Sequence, residues 1–132
     1  MANTLPDQFP TSVAGLPAAR AAEVVELADG ARFDLRIAPV AKRLGDGDGG
    51  TGSGRGRGLG DRGTTVRMLA YNGSIPGPTL LVGEGSEVVV DVENQGDVEA
   101  TVHWHGLRLE NRYDGTHETQ RPVAVGETFT GR

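Results

Sequence analysis

Two of the chain's three histidines, His103 and His105, stand either side of its only tryptophan in the stretch TVHWHGLRLENRYDG, residues 101–115. Neutral imidazole is a good ligand for zinc, copper, iron and nickel near neutral pH, so a close pair raises metal binding first. On a β-strand, side chains two apart point to one face, with β-carbons roughly 7 Å apart, and the intervening Trp104 points to the other. Such rings can lean onto one ion, or each can serve a different ion in a compact cluster; the spacing does not choose. Gly106 leaves room beyond the second ring, suited to close approach of another backbone or a ligand. A second reading stands beside the first, because two histidines on one face also serve as hydrogen-bonded core or rim groups. Trp104 reads as core packing rather than a substrate platform, and His117, in DGTHETQ, as a solvated loop residue. Asp114 can orient a metal-bound water or relay a proton, or it can simply make a turn with Gly115.

What must position these residues is a chain of 132 residues, the length of one domain with room for a modest core. Glycine takes 21 positions against three phenylalanines and two tyrosines, so packing material is thin. The net charge of −5 offers no basic footprint for nucleic acid. Glu84, Glu87, Asp91, Glu93, Asp97 and Glu99 gather ahead of the histidines and read mainly as solvent-facing sheet positions. Without cysteine the chain forms no disulfide and no thiolate metal site, which leaves its redox compartment open. The opening MANTLPDQFPTSVAGLPAAR has no cationic start followed by an apolar run. It does not read as a secretory signal, which tilts the expectation slightly towards the cytoplasm. No segment reaches membrane-spanning length.

Residues 1–20, interrupted by Pro6, Pro10 and Pro17, read as a flexible arm, and residues 21–132 as one partial domain. In EVVELADGARFDLRIAPV, Asp29-Gly30 separates two short apolar-alternating strands. Phe33, Leu35 and Ile37 share one face of the second, Asp34 and Arg36 the other. The tract at 45–63, GDGDGGTGSGRGRGLGDRG, is too rich in glycine to bury the apolar area that would offset its backbone entropy, and reads as a disordered insertion. The rival reading, a glycine-rich anion cradle, lacks the Lys-Ser/Thr ending and the following helix. TVRMLAYNG reads as a strand ending in an Asn-Gly turn, and SIPGPTLLV as an extended piece pinned by two prolines. EGSEVVVDVENQG and EATVHWHGLRL read as strands, and RPVAVGETFTGR as holding one more. No stretch has a helical period with caps. Short strands broken by glycine and proline turns predict an all-β antiparallel sandwich or barrel, with the alternation over 86–107 carrying most of that expectation.

NGSIPGPTLLVGEGSEVVVDVEN, then TVHWHGLRLENRYDG and ETQRPVAVGETFT, together resemble the amino-terminal cupredoxin domain of the multicopper oxidases, the laccase-like enzymes and their relations. The likeness runs from about residue 66 to 130 and draws its specificity from YNGSIPGPTL and HWHG in that order, about thirty residues apart. It implies a cupredoxin-like Greek-key β-sandwich, incomplete at the C-terminus, with copper as cofactor. In that family the first histidine of the motif binds the type 2 copper and the second binds one copper of the type 3 pair. The resemblance therefore implies those roles for His103 and His105. Asp114, in NRYDG, matches an acidic residue beside the trinuclear site, thought to help deliver protons as oxygen is reduced to water. The implied function is the copper-binding N-terminal portion of an oxidase that couples one-electron substrate oxidation to oxygen reduction. The implied partners are the remaining cupredoxin domains, of the same or another chain, with a small reductant and oxygen as substrates and neither nucleic acid nor membrane.

The chain also departs from the family. One histidine motif of the family's four is present, and no cysteine is available for a type 1 copper. The glycine-rich insertion is not expected in a core domain. The chain alone is therefore expected to be inactive, as a fragment of a longer oxidase in preference to a subunit completed by another chain. Two other functions compete. One is a non-catalytic cupredoxin-type copper-binding or protein-interaction module. The other is a different β-fold metalloenzyme, such as a cupin, which would have to recruit His117 and carboxylates as further ligands.

Overall fold

The computed structural model describes residues 9–45 and 63–132. Almost all of the expected insertion at 45–63, and the first eight residues of the expected arm, lie outside the described residues. Among the described residues six strands form: β1 Val24–Leu27, β2 Arg32–Leu44, β3 Thr64–Tyr71, β4 Thr79–Val82, β5 Val89–Asn94 and β6 Thr128–Gly131, with a 3-10 turn at Asn111–Tyr113. Alternation explains the central strands. Leu35 and Ile37 of β2 are buried while Asp34 and Arg36 face solvent, and Val90, Val92 and Asn94 are the buried positions of β5. Leu35, Ile37, Val90 and Val92 form the core cluster, against which Phe33, Ala100, Val102 and Trp104 pack.

The main sheet has the order β3-β2-β5-β6, and β1 and β4 form a separate parallel pair. β2 pairs antiparallel with β3, from Ile37↔Tyr71 to Leu44↔Thr64, and parallel with β5, from Arg32↔Val89 to Ile37↔Asn94. β5 pairs antiparallel with β6. The expectation of a purely antiparallel sheet is corrected on two pairings. Alternation reports which face of a strand is buried and carries no information on the direction of its neighbour. The chain leaves the main sheet after β3, adds β4 beside β1, and re-enters at β5 in the direction of β2. The fold is all-β and cupredoxin-like, and its two sheets do not close into a barrel; between them lies a cavity of about 480 Å³ floored by Leu35, Val90, Val92 and Trp104.

A further correction concerns EATVHWHGLRL, which forms no strand. Its ladder consists of one bridge, Ala100↔Val123. Directly after His105 the chain turns: Gly106 has φ 83, and the Leu107 amide donates to the Trp104 carbonyl at 3.2 Å. Gly106 serves that turn through its positive φ, a conformation other residues adopt at a cost.

At the other end, Pro17–Arg20 is bound to the sheet. The Ala19 amide donates to Ala41 O at 2.9 Å, Ala41 to Pro17 O at 2.9 Å, and Arg20 to Gly73 O at 2.8 Å. Arg67 grips Asp97 through two bonds of 2.6 and 3.1 Å and reaches the Ser12 carbonyl at 3.3 Å. The acidic residues divide accordingly. Glu84, Glu87 and Glu99 are exposed, whereas Asp97 is partly buried against Arg67, and Asp91 lies between Thr130 and Arg32. The Thr130 hydroxyl, and after it the Arg32 guanidinium, hold the Asp91 carboxyl below its usual range against the opposing effect of burial. Among the described residues no helix is long and apolar enough to cross a membrane.

Candidate metal centre

The segment after the Ala100 bridge keeps strand-like alternation of burial without a strand's ladder. Val102 and Trp104 are partly buried, while His103 and His105 are exposed. The imidazoles consequently share one side, with ring centres 5.6 Å apart and planes inclined at 72°. Trp104 packs against the core cluster. The expected division, histidines to one side and tryptophan to the interior, therefore holds even though the expected strand does not.

The ring of His103 is oriented by its neighbour in space. Its Nδ1 lies 2.6 Å from the Asp114 backbone carbonyl. A carbonyl oxygen only accepts, so Nδ1 carries the proton and Nε2 is left with a free lone pair. This is the arrangement by which ligating histidines are usually held: one ring nitrogen donates to a fixed acceptor and the other meets the metal. The Asp114 carboxylate is also close, with Oδ1 3.7 Å from the same Nδ1 and the side chain 29% exposed. Asp114 takes its place from the 3-10 turn before it. Tyr113 in that turn packs edge-on to Phe129 of β6, with ring centres 6.3 Å apart, and Arg112, paired with Glu110 at 2.7 Å, stacks over Tyr113.

A third contact draws the two segments together. Gly115 lies so close to the Val102–His103 backbone that a β-carbon there would meet the Val102 carbonyl oxygen at 2.1 Å. Its amide donates to the Oε1 of buried Gln120 at 3.1 Å. Sequence reasoning missed Gln120, and nothing in its local pattern signals it, because its partner is a peptide group.

The donor set suits an ion that accepts imidazole. Two imidazoles sharing one ion at the usual N–metal distance of roughly 2 Å have ring centres about 5–6 Å apart, a range that includes the present separation. Two neighbouring ions, one on each ring, fit as well. The structure brings His103, His105 and Asp114 together and leaves His117 exposed on its loop. Among the described residues no group of three or more His, Cys, Asp or Glu side chains converges to hold a metal ion.

The multicopper oxidase family model matches residues 56–132, more than half of the chain. The multicopper oxidase MmcO of Mycobacterium tuberculosis is 40% identical over 70 residues, covering 53% of this chain and 14% of that protein. The multicopper oxidase MCE of Talaromyces pinophilus is 43% identical over 68 residues, covering 49% of this chain and 11% of that protein. Among solved structures, the multicopper oxidase mgLAC superposes on 80% of this chain and 28% of its own, with a TM-score of 0.60 and 28% identity. A Campylobacter jejuni metallo-oxidase, at 19% identity and a TM-score of 0.55, shares the fold over 94% of this chain and 26% of its own. The chain thus spans about a seventh or less of the length of these curated relatives. It belongs to the multicopper oxidase family.

Proposed function

We propose that this chain supplies part of the copper centre of an oxidase that couples one-electron oxidation of a small reductant to reduction of oxygen to water. His103 is the type 2 ligand and His105 a type 3 ligand. The observation that carries the reading is the close imidazole pair on one side of the segment, with His103 Nδ1 tied to the Asp114 carbonyl. Copper, when bound, supplies one-electron redox chemistry that no side chain here possesses. The residues of this chain do the rest of the local work. His103 is held with the Nε2 lone pair unused by the Asp114 contact, Trp104 anchors the segment to the core, and the partly exposed Asp114 carboxylate stands beside the ligands as a proton donor and acceptor. The missing donors come from further cupredoxin domains, of the same or another chain.

Calorimetric titration of the chain with copper(II) tests this. Binding should be weak, since imidazole sites usually use three or four ligands, and His103→Ala or His105→Ala should each remove most of it. His117→Ala should leave it intact. Binding that survives the first two substitutions and fails with the third would overturn the assignment. A pair of imidazoles with no third ligand beside it among the described residues also suits a non-catalytic copper-binding module. Oxygen uptake by the chain joined to its further cupredoxin domains, lost in His103→Ala, separates the oxidase from the module.

A further inference from the structure

The Asp114 carbonyl that orients His103 and the Gly115 amide that bonds Gln120 belong to one peptide group. In a planar trans peptide the C=O and the N–H point in opposite directions. This peptide is therefore bonded at both ends: its oxygen to His103 Nδ1 at 2.6 Å and its N–H to Gln120 Oε1 at 3.1 Å. Rotating the peptide about its flanking bonds would lose both contacts at once. Glycine at position 115, with φ 75, is the residue type that would permit such a rotation most easily. Something outside the peptide must oppose it.

Gln120 is built to do so. Its side chain is buried, with the residue 7% exposed, and its backbone is fixed by the turn it ends. The Gln120 amide donates to Thr116 O at 2.9 Å, the Thr119 amide donates to the same oxygen at 3.1 Å, and the Thr116 and Thr119 hydroxyls meet at 2.8 Å. Three residues on, Val123 joins Ala100, the last bridge before the histidines.

We propose that Gln120 is a positioning residue for the metal-facing ring: its amide oxygen holds the Asp114–Gly115 peptide in one orientation, and that peptide holds His103 as the Nδ1–H tautomer with Nε2 presented. Consecutive hydrogen bonds through one peptide polarise each other, so the two contacts strengthen together. The use of this arrangement rests on the copper-site reading above. The arrangement itself is a property of the metal-free chain, so the two ideas fail separately.

The experiment is long-range ¹H–¹⁵N NMR of the metal-free 132-residue chain at about pH 8, where imidazoles are ordinarily neutral, with amide exchange measured on the same samples. Wild type should show His103 protonated on Nδ1. Gln120→Met, similar in length without an acceptor oxygen, should populate the Nε2–H form of His103. It should also speed exchange of the Gly115 amide about five- to tenfold, the factor carried by one ordinary hydrogen bond. Gln120→Glu, which keeps an acceptor oxygen, should restore both readings, and the His117 ring should be unmoved throughout. If Gln120→Met fails to fold, Gln120→Asn, one methylene short, serves in its place. An Nε2–H tautomer of His103 in wild type would overturn the proposal, as would an unchanged His103 tautomer in the folded variant. Loss of copper affinity in the histidine variants with no Gln120 effect would leave the copper site standing and this inference refuted.

Discussion

The main sheet and the segment that carries the histidines are held by different means. β2 shares a continuous ladder with β3 over eight residue pairs and with β5 over six, so no one bond in it is indispensable. Residues 101–120 have no such redundancy. After the Ala100↔Val123 bridge their shape depends on isolated turns and on single contacts between them: the Thr116–Gln120 turn, Tyr113 against Phe129, His103 on the Asp114 carbonyl, and Gly115 on Gln120. A ladder defines a surface and tolerates exchange of outward side chains. A set of single contacts sets individual atoms and fails one residue at a time. Sites that need one nitrogen aimed in one direction gain from the second plan, provided the first is adjacent to carry it.

The sharpest way to break this contrast is at Asn94 of β5, which ties the main sheet to Val123, the bridge partner of Ala100 ahead of the histidine segment. It is fully buried; its Nδ2 donates to Val98 O at 2.9 Å and Val123 O at 2.8 Å, while its Oδ1 accepts from Gly96 N at 2.9 Å. Asn94→Ala leaves Val98 O and Gly96 N without these partners, while Val123 O keeps the Ala100 amide, and should cost about 3 kcal/mol or more in urea denaturation. A loss below about 1 kcal/mol would mean that the two regions are not joined there.

Next in size is Gly115→Ala. A left-handed backbone costs an L-residue about 1–2 kcal/mol, and the clash with the Val102 carbonyl adds to it. A total of about 2–4 kcal/mol is expected, with loss of the His103–Asp114 contact visible by NMR while the sheet's amides stay protected. Gly85→Ala sharpens that result. Its φ of 84 is equally unfavourable, yet a β-carbon there meets nothing within 4 Å, so about 1 kcal/mol is expected from the backbone alone. Equal losses at the two glycines would remove the packing argument for Gly115.

The smallest effect expected lies in the sheet, at Asp91. Its carboxyl is held below the ordinary value by Thr130 and then Arg32. A folded-state pKa lower than the unfolded one adds stability that is fully present above the unfolded value, about 3.9 for Asp, and is lost as pH falls through the folded value. Denaturation midpoints measured from neutral pH downward should therefore decline more steeply below about pH 4 in wild type than in Asp91→Asn. Parallel declines would show that the Thr130–Asp91–Arg32 group gives the sheet no pH dependence.

Legibility in the sequence followed the same division. Alternation located β2 and β5, an Asn-Gly turn marked the end of β3, and alternation even marks Asn94, which stands at an inward position of β5 after Val90 and Val92. Over residues 101–105 alternation was a true report of burial and a false report of a strand, since side chains can face alternate ways along a segment with no neighbour bonded to its backbone. The parallel pairings were invisible for a related reason: strand direction leaves no trace in side-chain pattern. Of the site, the approach of His103, His105 and Asp114 was legible only because three motifs were read together, and the single-contact loop that holds them was not. Its specificity lies in peptide groups and one glutamine, atoms that every sequence supplies and no pattern marks.

The double pairing of β2 also has a consequence in time. Leu44 reaches Thr64 across a short excursion, whereas Arg32 reaches Val89 after nearly three times as many residues. The longer closure costs only about 0.9 kcal/mol more in chain entropy, yet contacts so far apart in sequence form late. Between the two events a newly made chain presents one edge of β2 as a bare template, open to the first extended segment that arrives. In dilute solution that segment is β5 of the same molecule; in a concentrated one it is another chain's strand, so the yield of monomer on refolding should fall as protein concentration rises.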